Sequence, residues 1–163
     1  DIIEVIGDAL ALVEYPLRQA HVKLVKELDP ELPHVAVDAT KMEQVLVNLM
    51  INAMHAMPDG GTLVVRAYSS IISGVRRDEG VRTAGHLREG DRVVRIEIDD
   101  TGTGIEEANM SKLFDPFFTT KPTGTGTGLG LAVCRKIVDL HNGTLELENR
   151  PEGGVRASIT LKA

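Results

Sequence analysis

The 163-residue sequence predicts an α/β two-layer sandwich, a mixed and mostly antiparallel sheet of about five strands with three main helices packed on one face. Three observations lead there. Three segments repeat their apolar residues at the 3.6-residue period of a helix, and others alternate with the period of two that marks a half-buried strand. The chain is long enough for one compact domain and too short for two ordinary ones. It has no Trp, and three of its five aromatics (Phe114, Phe117 and Phe118) fall within five residues, so the core must be aliphatic.

The elements follow in order. Ile2, Val5, Ile6, Ala9, Leu10 and Val13 line one face of a helix over residues 2–14, with Pro16 just beyond it. Val22, Leu24 and Leu28 keep even spacing around Lys26, a strand that ends in the turn residues Asp29, Pro30 and Pro33. Thr40 and Glu43 have capping-box spacing and open the second helix. Its apolar face is Met42, Val45, Leu46, Leu49, Met50, Ala53 and Met57, and Pro58-Asp59-Gly60-Gly61 stops it. Residues 63–72 and 92–99 read as strands that can pair. Between them, residues 73–91 carry four glycines and eight charged side chains, a solvated loop or a partner-binding one. Beyond residue 100 a Gly- and Thr-rich stretch runs to residue 127, with a short helix at 106–113. A helix over 129–141 follows, with Gly143 as its C′ glycine. Leu145 and Leu147, then Val155, Ala157, Ile159 and Leu161, alternate as two strands joined by a turn at Pro151, Gly153 and Gly154.

Charge and cysteine usage narrow the function. Eighteen Lys plus Arg against 24 Asp plus Glu leave a net charge of −6, which argues against a nucleic-acid partner. The single Cys134 can form no internal disulfide, consistent with a reducing compartment. No apolar run approaches the roughly 18 residues of a membrane span, and no signal peptide opens the chain. Starting at Asp1, it reads as a fragment of something larger.

Three features carry chemistry. Asn48 and Asn52 lie at i and i+4 on a stripe beside the apolar face of the second helix, with His55 a turn further on. Such a pair serves as surface amides, or as hard oxygen ligands for Mg²⁺. In RIEIDDTGTGI (residues 95–105), strand parity puts Val94, Ile96, Ile98 and Asp100 on one face and Arg95, Glu97 and Asp99 on the other. A core-facing Asp100 needs a donor, because an unpaired buried carboxylate costs several kcal/mol or shifts its pKa. Gly102 and Gly104 leave room there for a flat ligand, although an Asp capping a turn has the same spacing. In KPTGTGTGLGLAV (residues 121–133), Gly124, Gly126, Gly128 and Gly130 recur at every second position and run into a helix. Backbone amides at such a helix start can cradle a phosphate; a flexible linker is the alternative. Neither a Walker A loop nor a GxGxxG fingerprint is present.

Taken in this order, the features resemble the nucleotide-binding boxes of the ATPase superfamily shared by histidine kinases, DNA gyrase, mismatch-repair ATPases and heat-shock chaperones. EQVLVNLMINAMHAM resembles the asparagine box, DDTGTGI the first glycine box and GTGTGLGLAV the second. LFDPFFTTK (residues 113–121) is similar to the phenylalanine box of sensor histidine kinases, especially the nitrogen-regulation-like branch. The resemblance spans nearly the whole chain and implies a Bergerat-type ATP-binding fold over residues 1–163.

The resemblance implies that Asn52 coordinates Mg²⁺ and Asn48 supports the phosphate side. It implies that Asp100 accepts from the adenine amine while Gly102 and Gly104 admit the ring. Gly126, Gly128 and Gly130 would wrap the phosphates, and the nucleotide-binding set takes in Ile105, Thr127, Leu129 and Leu131 from the same boxes. Asn48, His55 and Lys121 form the catalytic set, His55 standing where relatives often carry Lys or Arg. Phe114, Phe117 and Phe118 would anchor a lid over about residues 106–127, with Lys121 reaching the phosphates. None of the five histidines has the surroundings of a phosphoacceptor motif.

The function implied is donation of the ATP γ-phosphate to a histidine on an attached helical dimerisation domain of a two-component sensor kinase. ATP or ADP, that helical domain and a response-regulator receiver domain are the expected partners. The location is cytoplasmic, the fragment a monomer and its parent a homodimer, anchored in a membrane or not. A conformational ATPase, a serine kinase acting on an anti-anti-sigma partner and a non-catalytic nucleotide sensor are the other readings.

Overall fold

A computed structural model describes residues 1–74, 87–121 and 126–163 of the chain. Five strands form one sheet: β1 (Val22–Leu28), β2 (Gly61–Ile71), β3 (Arg92–Asp99), β4 (Thr144–Asn149) and β5 (Val155–Lys162). Their order is β1-β2-β3-β5-β4, with β1 and β2 parallel and every other pair antiparallel. The parallel pair follows from the helix between its strands, since a parallel neighbour needs a crossover connection. Helices α1 (Ile2–Gln19), α2 (Ala39–His55) and α4 (Gly130–Leu140) cover one face, and α3 (Glu107–Met110) is a single turn.

The core is the interface between these layers. Leu63, Val65 and Ala67 of β2, Val94, Ile96 and Ile98 of β3, and Ala157, Ile159 and Leu161 of β5 point into it. They meet the predicted stripes of α1 and α2 together with Cys134, Ile137 and Val138 of α4. Parity along β3 is as the sequence predicts: Asp100 follows Val94, Ile96 and Ile98 inward and is 4% exposed.

Several boundaries differ from expectation. α1 continues through Pro16 to Gln19. The carbonyl that Pro16 deprives of a donor belongs to Leu12, an exposed residue whose backbone can turn to water. The cap of α2 is Asp38 rather than Thr40; its carboxylate accepts from Lys41 N at 3.0 Å, the same three-residue geometry shifted back by two positions. α2 ends at His55, so Met57 lies past the helix, yet it is buried. After α4 the left-handed position is Asn142 (φ 57°), not Gly143. Gly143 is small for another reason: a Cβ there would meet Thr160 O at 2.6 Å. Ile72 N donates to Asp91 O and Gly90 N to Ile72 O, closing the base of the 73–91 loop. Residues 75–86 of that loop and residues 122–125, including Gly124, lie outside the described residues.

Candidate functional site

Helix α2 delivers Asn48 and Asn52, both half-buried. Asn48 lies by Cys134, whose thiol burial pushes up to about 11 while the Asn48 amide pulls it slightly down. The last turn presents His55, and 66 residues later in the chain Lys121 Nζ donates to His55 Nδ1 at 2.8 Å. Burial first, and the Lys121 ammonium second, hold the His55 imidazole below its ordinary value. It is therefore neutral at pH 7 and able to accept.

At the end of β3, Asp100 turns its carboxylate inward. Oδ1 accepts from Gly102 N at 2.8 Å and from Val155 N at 3.1 Å. Oδ2 has no hydrogen-bond partner among the described residues. Burial raises the Asp100 pKa, and the two amides only partly offset that rise. The glycines beyond it serve the protein itself. A Cβ on Gly102 would fall on the carbonyl oxygen of Ala56, where Thr103 N also bonds at 3.2 Å, so Gly102 lets the loop close on the end of α2. Beside Gly104 stands Asn149: Ile105 N donates to Asn149 Oδ1 at 2.8 Å, and Asn149 Nδ2 donates to Ile105 O at 2.7 Å.

The second glycine run packs against the segment before it. Gly126 lies on Thr119 and Lys121, and Gly128 (φ 68°) sits on the backbone of Phe117, where a Cβ has no space. Thr127 is exposed and its hydroxyl accepts from Leu129 N at 3.3 Å. Leu129 is the N-cap residue of α4 and makes no side-chain cap, so the first amides of the helix remain available to an acceptor. Gly130, the first helical residue, faces open space, and Leu131 packs against the core. The phenylalanines divide their work. Phe114 packs against the core under the Arg135 guanidinium, 4.4 Å from the ring centre, and Leu113 is buried beside it. Phe117 is 74% exposed at φ 68°. Phe118 is half-buried.

Sequence reasoning missed a second layer behind Asp100. Asp99, on the opposite face of β3, has no exposed surface. Arg156 grips it with two bonds of 2.7 Å, Arg66 adds one of 2.5 Å, and Arg150 Nε stands 3.6 Å away. Burial works against the Asp99 charge, but the hydrogen bonds from Arg156 and Arg66 outweigh it and hold its pKa low. Three strands and the β4–β5 turn supply these groups, so no local spacing could have revealed the cluster. Among the described residues no group of three or more His, Cys, Asp and Glu could hold a metal, and no helix is long and apolar enough to cross a membrane.

A two-layer sandwich with an Asn-bearing helix, an inward carboxylate at a strand end and an uncapped glycine-led helix defines a nucleotide-binding class. Residues 37–163 match the family described as histidine kinase-, DNA gyrase B- and HSP90-like ATPase. The catalytic domain of histidine kinase ThkA superposes with a TM-score of 0.75 at 32% identity, over 99% of this chain and 94% of that one. The chain belongs to this ATP-binding family and, within it, to the histidine kinase catalytic domains. It is 35% identical over 161 residues, 99% of its length, to the C4-dicarboxylate transport sensor protein DctS of Rhodobacter capsulatus. To the signal transduction histidine-protein kinase AtoS of Escherichia coli it is 33% identical over 96% of its length. The chain spans only 22% of each of those relatives. ThkA has also been solved in complex with the response regulator TrrA; that chain matches at 29% identity with a TM-score of 0.72, over 99% of this chain and 40% of ThkA.

Proposed function

We propose that this domain binds Mg²⁺-ATP and donates the γ-phosphoryl group to a histidine on the helical dimerisation domain of a parent sensor kinase, in the nitrogen-regulation-like branch. A bond forms from the imidazole nitrogen to γ-phosphorus, the β–γ bridging bond breaks, and ADP leaves. Asp100 Oδ2 accepts from the adenine 6-amino group. Gly126, Thr127, Gly128, Leu129, Gly130 and Leu131 present the start of α4 to the phosphates, and Ile105 closes the adenine side. Lys121, held near by neutral His55, faces the γ-phosphate, and residues 106–127 form the lid. Asn52 would offer one amide oxygen to Mg²⁺, a hard ligand of the kind this ion takes. When bound, its charge would offset that of the phosphates. The phosphohistidine would then pass its group to a receiver domain, in the cytoplasm, where ATP is supplied.

The observation that carries phosphotransfer over hydrolysis is Asn48. The resemblance implies that hydrolytic relatives place a water-activating Glu one turn before the Mg²⁺-binding Asn, and an amide cannot remove a proton. Alone with Mg²⁺-ATP, the domain should hydrolyse very slowly and acquire no acid-labile phosphohistidine. Supplied in trans with its parent's helical domain, it should label one histidine, weakly, because tethering normally provides an effective concentration of about millimolar. Brisk turnover by the domain alone would overturn the proposal. Asn48→Glu should lower phosphotransfer and give a small gain in hydrolysis.

The metal role has its own measurement. Asn52→Ala should weaken ADP binding in Mg²⁺ and leave it near wild type in EDTA, read by titration calorimetry. A deficit of equal size in both buffers would remove Asn52 from the ligand set.

A further inference from the structure

Besides the bond from Gly102 N to Asp100 Oδ1 and the anchor of Thr103 N on Ala56 O, the loop that carries Asp100 is held at both ends by a hairpin some fifty positions downstream. Asp100 N donates to Val155 O at 2.9 Å, and Val155 N returns a bond to Asp100 Oδ1. Arg150 Nη1 donates to the Asp100 carbonyl at 2.6 Å. At the other end of the loop Asn149 bonds both the N–H and the C=O of Ile105. Those partners also orient the amide, since only one placement of its O and N satisfies both. The hairpin is locked in turn, with Arg150 N bonded to Gly154 O at 2.8 Å and Gly153 N to Arg150 O at 3.0 Å. Gly154 (φ 82°) presses so close that a Cβ would fall on the Asp100 carbonyl oxygen. Both ends of residues 100–105 are therefore clamped from one side.

We infer that the β4–β5 hairpin is the specificity frame of the site, with Asn149 and Arg150 as positioning residues that hold Asp100 Oδ2 where it distinguishes a 6-aminopurine from a 6-oxopurine nucleotide. The inference rests on the adenine-reading role proposed for Asp100. Neither residue touches the base. Each fixes one end of the loop, so its loss allows the carboxylate to swing and blunts discrimination more than it weakens phosphate binding. An aligned hydrogen bond loses strength steeply with angle, which makes the amino group the contact most sensitive to such movement.

The test is calorimetric binding of ADP and of inosine diphosphate, which carries an oxygen in place of the amino group. Wild type, Asn149→Ala, Asn149→Asp and Arg150→Met are compared, each with a nucleotide-free melting curve. Wild type should prefer ADP. Asn149→Ala should narrow that preference about tenfold, a change of about 1.4 kcal/mol, chiefly through weaker ADP binding. Asn149→Asp keeps the acceptor for Ile105 N but loses the donor to Ile105 O, and should fall between. Arg150→Met should also narrow the ratio. An unchanged ratio in Asn149→Ala, or equal losses for both nucleotides in step with a lowered melting temperature, overturns the positioning role while leaving Asp100 in place. No preference in wild type overturns the adenine-reading role itself, and this inference with it.

Discussion

Asp100→Ala should lower ADP affinity by about 10- to 150-fold, the equivalent of losing a charge-assisted hydrogen bond of roughly 1.5–3 kcal/mol in a buried pocket. Alanine also strands the N–H groups of Gly102 and Val155, which now share Asp100 Oδ1. Asp100→Asn separates the two effects. Its carbonyl can keep both amides, but the other side-chain atom becomes a donor and meets the adenine amine donor to donor. Affinity for ADP should still collapse, and the preference should move toward inosine diphosphate, whose oxygen accepts. The pH dependence has a definite sign. Burial raises the pKa of Asp100 in the free domain, and a donor on the bound base favours the ionised form. Affinity is therefore full above that raised value and declines as pH falls through it. Both variants should be flat across that window. Calorimetry showing wild-type ADP affinity in Asp100→Asn would refute the assignment.

The largest stability effect is expected at Asp99. Asp99→Asn keeps the shape and removes the one charge shared by Arg66, Arg150 and Arg156. Breaking one side of a buried ion cluster costs about 3 kcal/mol or more, and the partial exposure of the three guanidiniums favours the lower figure. For a domain of this size that is a fall in Tm of roughly 6–12 °C. Because the folded-state pKa of Asp99 is depressed, its contribution is present above its unfolded pKa and is lost as pH falls through the folded value. Wild type and Asn variant should thus differ most near neutrality and converge in acid. Urea unfolding at pH 7 with a midpoint indistinguishable from wild type would mean that the arginines find other partners.

Much of the architecture is readable along the chain. The apolar stripes of α1, α2 and α4 and the alternation in β3 and β5 name the core residues, because side-chain direction has a fixed period in each element. The same parity turns Asp100 inward while leaving Asp99 on the far face. Local chemistry is less decisive at boundaries. Asp38 and Thr40 are both cap formers, and only the packed helix selects the first. Pro16 reads as a stop, yet α1 runs on to Gln19, and the carbonyl left without a donor belongs to the exposed residue Leu12.

The class of fold, the face each element buries and the family are therefore legible in the chain alone, since these rest on residue type and short spacing. The packed fold settles which residues meet across distance. It inserted β5 between β3 and β4, joined Lys121 to His55, gathered three arginines around Asp99, and set Asn149 and Arg150 behind Asp100. It also gave Gly102 and Gly128 steric work against Ala56 and Phe117. Hydrogen bonds and close approaches depend on positions in space, and residues brought together from separate elements leave no periodic trace of the contact they will make.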